Sequence, residues 1–482
     1  MITMKRVLAM AAAACMVLAL AGCKPGATSS QTPDASGGTD PSGNGSQVNP
    51  DGAHAALKFP AEDFNLGGKK IVIATWDNVS MPPEAGTASN DMTLARMEKI
   101  MQKYGVEVEW KSVSGGTYDA ELTTALYSNV HYADIVYLNV PKSIGLIKNG
   151  VFKPLDEYVD FSAERFARNE DLVRFNDKHY GIPITDPSPY VVIYNPAILK
   201  SSGADDPLTL FQQGTWTWEA MKSVAEKCAK DFNGDGKNDQ FGLNTTSIRF
   251  MLPLNGVVGF GSPVDNKFTV DLFDQPSINA LEYYQSLSVG GLLDDPETWY
   301  DWGANIQNFV SGKTAMLMAP MWEAAISVYG NGFKEFSVVP APMGPDVPEG
   351  EYVIADPYGA MALIPENTSV DVKQLLTFYL AYTYNDPADP ETYVDPDENL
   401  IEDFSAGHHW RTADEIMAYT NVQRSATVKN TYFVQGTQLF HEPHTMFESH
   451  VITPVYNGDS VKNTLDTVKD SILAMIAEIE SR

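Results

Sequence analysis

The sequence predicts an α/β fold of mostly parallel strands covered by helices, preceded by a long N-terminal segment that takes no part in it. Three observations lead there. Strand-like apolar runs alternate with helix-spaced ones in the order β-α-β-α-β over residues 71–138; the 482-residue chain is 44% hydrophobic, enough to bury more than one domain core; and residues 24–56 lack the composition of a core.

The N-terminal segment decides the compartment. Lys5 and Arg6 form a short basic stretch, residues 7–21 are almost wholly apolar, and Leu20-Ala21-Gly22-Cys23 ends the run in small residues. This is too short to span a bilayer comfortably and has the build of a secretory signal, residues 1–22. The small pair before Cys23 resembles the bacterial lipobox, which implies acylation of Cys23 as the new N-terminus and anchoring on the extracytoplasmic face of the cell membrane. Cys15 leaves with the signal and Cys23 takes lipid, so Cys228 has no intrachain partner and the fold must hold without disulfides. Residues 23–57 read as a lipid-anchored flexible linker: Ser, Gly, Thr, Pro, Asp and Asn dominate and aromatics are absent from 24–56. At about 30 residues its reach is roughly 30 Å.

The first strand is Ile71-Val72-Ile73-Ala74-Thr75, a buried run after Gly67-Gly68. Leu94, Met97, Met101 and Tyr104 then recur at helical spacing, with Ser89 or Asn90 as cap and Gly105 where a left-handed C-terminal glycine belongs. Val106–Trp110 alternates as a half-exposed strand. Tyr118, Leu122, Ala125 and Leu126 mark a second helix, and Ile135–Leu138 a third strand. Right-handed crossovers make such strands parallel, and ligands of open α/β sheets gather at the strands' carboxyl ends. Those ends carry Trp76, Asp77 and Asn139 as candidate contacts.

Charge excludes one class of partner. With 62 acidic against 33 basic residues the formal charge is −29 and the bases form no run, so no phosphate-tracking surface exists and nucleic acid is not a partner.

Further along, Tyr180-Gly181-Ile182-Pro183 followed by Tyr194-Asn195, then Thr217-Trp218-Glu219, Phe309–Met316 with Gly312, and Val338–Gly344 with Pro340, Pro342 and Gly344 at alternate positions occur in order. Together they resemble the family 1 extracellular solute-binding proteins, substrate receptors of sugar-importing ABC transporters, over residues 66–385. The resemblance implies a two-lobed periplasmic-binding-protein-like fold of type II, each lobe a mostly parallel sheet flanked by helices, with ligand clamped in the cleft between lobes. It places the chain crossings near Tyr190–Tyr194 and Asp356–Gly359. One lobe would comprise 58–190 plus about 358–440, the other 191–357 plus about 441–482. Thr217 is expected to cap the helix that follows it. Val461, Leu465, Val468, Ile472, Leu473, Ile476 and Ile479 make the last segment an amphipathic helix packed on one lobe.

Asp231-Phe232-Asn233-Gly234-Asp235-Gly236-Lys237-Asn238-Asp239-Gln240 has oxygen side chains at relative positions 1, 3, 5 and 9 and glycine at 6. That is the start of an EF-hand loop, in which alternate residues converge on a hard cation; Gly242 at position 12 departs from it. A variant of this loop in solute-binding relatives implies a structural Ca²⁺ held by Asp231, Asn233, Asp235, the Lys237 carbonyl, Asp239 and Gln240.

Sugars are held by aromatic faces and by carboxylates or amides that pair with hydroxyls. Trp322 stands where the maltose-binding relative carries a sugar-stacking tryptophan and is the strongest candidate. Trp302, with Trp299 and Tyr300 near it, offers a second platform; Asp186 and Tyr190 border the first crossing, Asp356 and Tyr358 the second. Residues 245–250 lack the Glu and Tyr of that relative, so maltose in the same pose is not expected. The His408-His409 and His441-Glu442-Pro443-His444 groups lack ligand spacing on a helix face, and Asp386–Asp403 reads as an acidic solvated insertion.

The reading is a monomeric, non-enzymatic, lipid-anchored receptor that captures a carbohydrate, an oligosaccharide by preference, and delivers it to an ABC permease. A same-fold receptor for another solute such as a polyamine, and a secreted carbohydrate-active enzyme, are the alternatives. No acid pair or nucleophile motif stands out for the latter.

Overall fold

The computed structural model describes residues 52–76, 81–184, 187–245, 250–294, 302–355, 359–394, 412–429, 431 and 441–481. Strand β1 (Lys69–Thr75), helix α1 (Ala88–Tyr104), β2 (Val106–Ser112), α2 (Gly115–Tyr127) and β3 (Ile135–Asn139) follow one another as the periodicity requires. β1 pairs in parallel with β2 and with β3, Ile73 standing opposite both Trp110 and Ile135. Helix α1 starts earlier than its apolar stripe: Thr87, not Ser89 or Asn90, is the N-cap and accepts the Asn90 amide. Gly105 ends the helix at φ 60°, the left-handed conformation that favours glycine.

Two mixed sheets result. The first has the order β2-β1-β3-β9-β4, where β4 is Gly181–Pro183 and β9 is Ala360–Leu363. The second has the order β8-β5-β7-β6, built from β5 (Tyr190–Tyr194), β6 (Phe241–Thr245), β7 (Thr314–Pro320) and β8 (Ser337–Pro340). In each sheet a single strand opposes the others: β9 is antiparallel to β3 and β4, and β5 is antiparallel to β8 and β7. Each opposed strand is the first its sheet receives after the chain arrives from the other sheet. A chain that leaves one sheet at a carboxyl end and enters the next at a carboxyl end must run against its new neighbours. The register shows this: Ala360 at the start of β9 faces Asn139 at the end of β3, and Tyr190 at the start of β5 faces Pro320 at the end of β7.

Tyr190–Tyr194 was expected at the first crossing but is a fully buried central strand. Its β-branched and aromatic residues suit a strand covered on both faces, and the crossing itself precedes it, after Pro183. Before β9, Val353–Ala355 pairs in parallel with Thr427–Lys429.

Helix α3 (Trp218–Cys228) begins at Thr217, whose hydroxyl accepts the Ala220 amide as expected of that cap. Helices α4 (Gln275–Val289) and α5 (Val372–Thr383) follow. Helix α6 (Ala413–Ser425) falls within the span assigned by sequence to the first lobe, yet it packs on the second sheet: Ile416 and Tyr419 join Val191, Ile193, Leu317 and Val338 in one cluster. Its own apolar face decides the matter, since no first-sheet residue belongs to that cluster. The last helix, α7 (Val461–Ser481), buries Val461, Leu465, Val468, Ile472, Ile476 and Ile479, a stripe of the predicted spacing. Among the described residues no helix is long and apolar enough to cross a membrane.

Candidate functional site

The topology brings the carboxyl ends of the parallel strands of both sheets to the crossings. Trp76 directly follows β1 and is half-buried, its ring centroid 6.5 Å from that of Tyr118. Asn139, the last residue of β3, is half-buried and caps the helix Val140–Lys148 by position without a side-chain cap bond. Both therefore stand where the strand argument places a ligand. Asp77, Asp186, Asp356, Tyr358, Trp299 and Tyr300 lie outside the described residues, as do Cys23, His408 and His409.

Two tryptophans are located by backbone alone. Trp322 sits in the short helix Met321–Glu323 that begins immediately after β7, and Trp302 opens the helix Trp302–Val310. The first position is again the carboxyl end of a parallel strand, on the second sheet.

Tyr190 is placed differently from the expectation. It is 6% exposed, its ring stacks on Phe250 at 4.3 Å, and its hydroxyl donates to the Ala355 carbonyl at 2.9 Å. With one face covered and the hydroxyl engaged, it is a fastening between the two crossings rather than a sugar platform. Ser188 and Tyr419 make a similar tie, their hydroxyls 2.7 Å apart. A further residue went unrecognised in the sequence: the buried Tyr118 hydroxyl lies 3.1 Å from the Ala74 carbonyl and 2.8 Å from the Tyr137 carbonyl, joining β1 to β3 beneath Trp76. Burial pushes its phenol well above the ordinary range, so it stays a neutral donor. Its helical spacing registered only as an apolar position.

The acidic loop has the connectivity of a preformed turn. Lys230 and Gln240 bridge its base. Asp231 accepts the amides of Gly234 and Gly236 at 2.6 and 2.8 Å, Asn233 Oδ1 accepts that of Asp235 at 2.8 Å, and Asp235 accepts that of Lys237 at 2.9 Å. Asp239 accepts the amides of Phe232 and Asn233 at 2.7 and 3.2 Å. The Gly236 and Gly234 amides hold the Asp231 carboxyl below the usual range. Gln240, expected as a ligand, spends its amide NH₂ on the Cys228 carbonyl at 2.6 Å. The donor set is of the right kind for a hard cation, oxygen only and exposed, with both glycines at positive φ to permit the turn. Among the described residues, however, no three acidic, His or Cys groups converge as a cluster. His444 is buried beside Glu448 at 3.2 Å, a structural pairing within one helical stretch.

The sequence profile of the bacterial extracellular solute-binding proteins matches residues 89–384. No curated protein matches by sequence. Solved structures with a similar fold include the cyclic alpha-maltosyl-1,6-maltose binding protein of Arthrobacter globiformis, with TM-score 0.60 and 16% identity over 85% of this chain and 99% of that one. An ABC substrate-binding protein of Listeria monocytogenes in complex with cycloalternan matches at TM-score 0.57 and 16% identity, again over 85% and 99%. The GacH receptor of Streptomyces glaucescens, solved unliganded and with acarbose, matches at TM-score 0.55 and 17% identity, with the same coverage.

Proposed function

The chain belongs to the bacterial extracellular solute-binding proteins, and we propose that its solute is an oligosaccharide, captured between the two sheets' carboxyl ends and delivered to an ABC permease. The observation that carries the reading is the correspondence, over almost the whole length of each, with receptors solved with cycloalternan, acarbose and named for a cyclic maltosyl-maltose. Trp76 and Trp322 follow the carboxyl ends of strands from different sheets, and aromatic residues at those ends suit such a ligand. Trp302 offers a further aromatic platform, Asp77, Asn139, Asp186, Asp356 and Tyr358 complete the set with groups suited to hydroxyls, and Tyr190 ties the crossings together. Binding must favour the closed arrangement by more than that arrangement costs in the empty receptor.

In the same reading Cys23 carries the lipid, the residues from there to about 51 tether the monomeric receptor, and the Asp231–Gln240 loop holds Ca²⁺ as a structural ion; the end of the expected 23–57 linker is part of the folded body, since His54, Ala56 and Leu57 are buried and Leu57 pairs with Val159. A panel of linear and cyclic oligosaccharides, followed by melting temperature and tryptophan fluorescence, tests the ligand class. Saturable stabilisation by an intact oligosaccharide supports it; stabilisation by polyamines alone, or sugar products accumulating with time, would overturn it.

A further inference from the structure

The first sheet encloses a cavity that neither Trp76 nor Asn139 lines. It lies between the sheet and helices α1 and α5, has a volume of about 390 Å³, and includes two arginines, Arg96 and Arg165, on its wall. In a chain with 62 acidic residues, neither guanidinium has a carboxylate partner among the described residues. Arg96 is 9% exposed; its Nη1 donates to Asn385 Oδ1 at 3.0 Å and to the Thr392 carbonyl at 3.3 Å, while its Nε is buried with no acceptor. Arg165 reaches the Ala53 and Leu380 carbonyls and the Thr383 hydroxyl, all neutral groups. Burial alone pulls Arg96 below its ordinary range, and it is the largest effect on Arg165 too.

Arg96 is buried and Arg165 half-buried over the Phe166 and Tyr384 rings, and a guanidinium withdrawn from water with no carboxylate partner among the described residues is costly, as is a buried donor without an acceptor. An anion in the cavity would offset both, and the unengaged edge of a guanidinium suits the paired oxygens of a carboxylate. The remaining wall sets the rest of the ligand. Trp110 and Tyr137 meet edge to face at 5.7 Å, and the Tyr137 and Tyr379 hydroxyls lie 2.9 Å apart, a pair that uses one of its two hydrogens internally. Aromatic surface, one spare hydroxyl donor and this volume fit a single ring. We propose that this cavity is a second ligand site, specific for a carboxylate borne on one ring. The inference does not depend on the oligosaccharide reading, because none of the described cleft residues takes part in it.

Isothermal titration of the full chain with benzoate and glucuronate, each against its neutral amide, is the test. We expect one acid to bind saturably and at least tenfold more tightly than its amide; benzoate would mark an aromatic acid as the natural occupant, glucuronate a sugar acid. Arg96→Gln should weaken that acid about tenfold or more and leave the thermal response to oligosaccharides in place. If Arg96→Gln fails to fold, Met97→Trp fills the cavity without removing an anchor and should abolish acid binding. Failure of both acids to bind at millimolar concentration, equal binding of acid and amide, or binding undiminished in the variants would overturn the proposal.

Discussion

The Tyr190 hydroxyl donates to the Ala355 carbonyl at 2.9 Å, so the first residue after one chain crossing is fastened to the last described residue before the other. Lobe movement in a two-sheet receptor is borne by such crossings, and a bond between them couples their backbone rotations. Tyr190→Phe keeps the ring on Phe250 but leaves a buried carbonyl without its donor. We expect it to lower unfolding stability by about 1–2 kcal/mol in chemical denaturation. It should also change the rate of ligand-induced fluorescence closure; an unchanged rate with lowered stability would reduce Tyr190 to a packing role.

Asp134 fastens the first sheet at its opposite end. It is 1% exposed and accepts the Val72 and Ser369 amides, each at 3.0 Å, and the Ser369 and Thr368 hydroxyls at 2.9 and 3.1 Å. Burial by itself pushes this carboxyl up, but the Val72 and Ser369 donors together with His131 bring it below the usual carboxylate range. A folded pKa below the unfolded value of about 3.9 means stabilisation that is complete above roughly pH 5 and lost as pH falls through the folded value. Asp134→Asn, which turns an NH₂ toward those donors, should cost about 3 kcal/mol at pH 7. The deficit against the parent should shrink in denaturation series carried below pH 4; a deficit independent of pH would remove the carboxylate from the explanation.

What the sequence made legible was local. The αL cap at Gly105, the Thr217 cap and the stripe of α7 each follow from residues within a few turns of one another. The parallel β1-β2-β3 register also follows, because short crossovers leave few alternatives. The rest depends on partners far away in the chain. Nothing near Tyr190 shows that its hydroxyl will be used by residue 355, nothing near Ile416 shows which sheet its helix will cover, and Arg96 reads as one more charge on a polar helix face until the cavity behind it is seen.

Trp322 separates a ligand platform from a core residue. Its backbone lies two residues past Pro320, the end of β7, beside the first crossing. Loss of a stacking ring costs roughly 1 kcal/mol or more in binding. Trp322→Ala should therefore weaken oligosaccharide affinity about tenfold by fluorescence titration while leaving the ligand-free melting temperature within a few degrees. A large fall in melting temperature with affinity retained would assign the ring to the core instead.

The Asp231–Gln240 loop gives the sharpest dependence on conditions. Its three carboxylates lie on one exposed turn, where Asp231 and Asp239 accept from the loop at both oxygens and Asp235 accepts the Lys237 amide at one, so a cation would have to share these oxygens with the turn's own donors. A cation that bound the folded loop and not the unfolded chain would stabilise the receptor by mass action, about 2.7 kcal/mol at a hundred times its dissociation constant. Chelation should accordingly lower the melting temperature, and added Ca²⁺ should restore it, with Mg²⁺ much less effective because it demands a tighter, regular octahedron. Asp235→Asn should weaken this response and Gln240→Ala should leave most of it, since the Gln240 amide is already committed to the Cys228 carbonyl. A melting temperature indifferent to chelator, with no calcium retained after dialysis, would leave the loop a hydrogen-bonded turn held by its own amides.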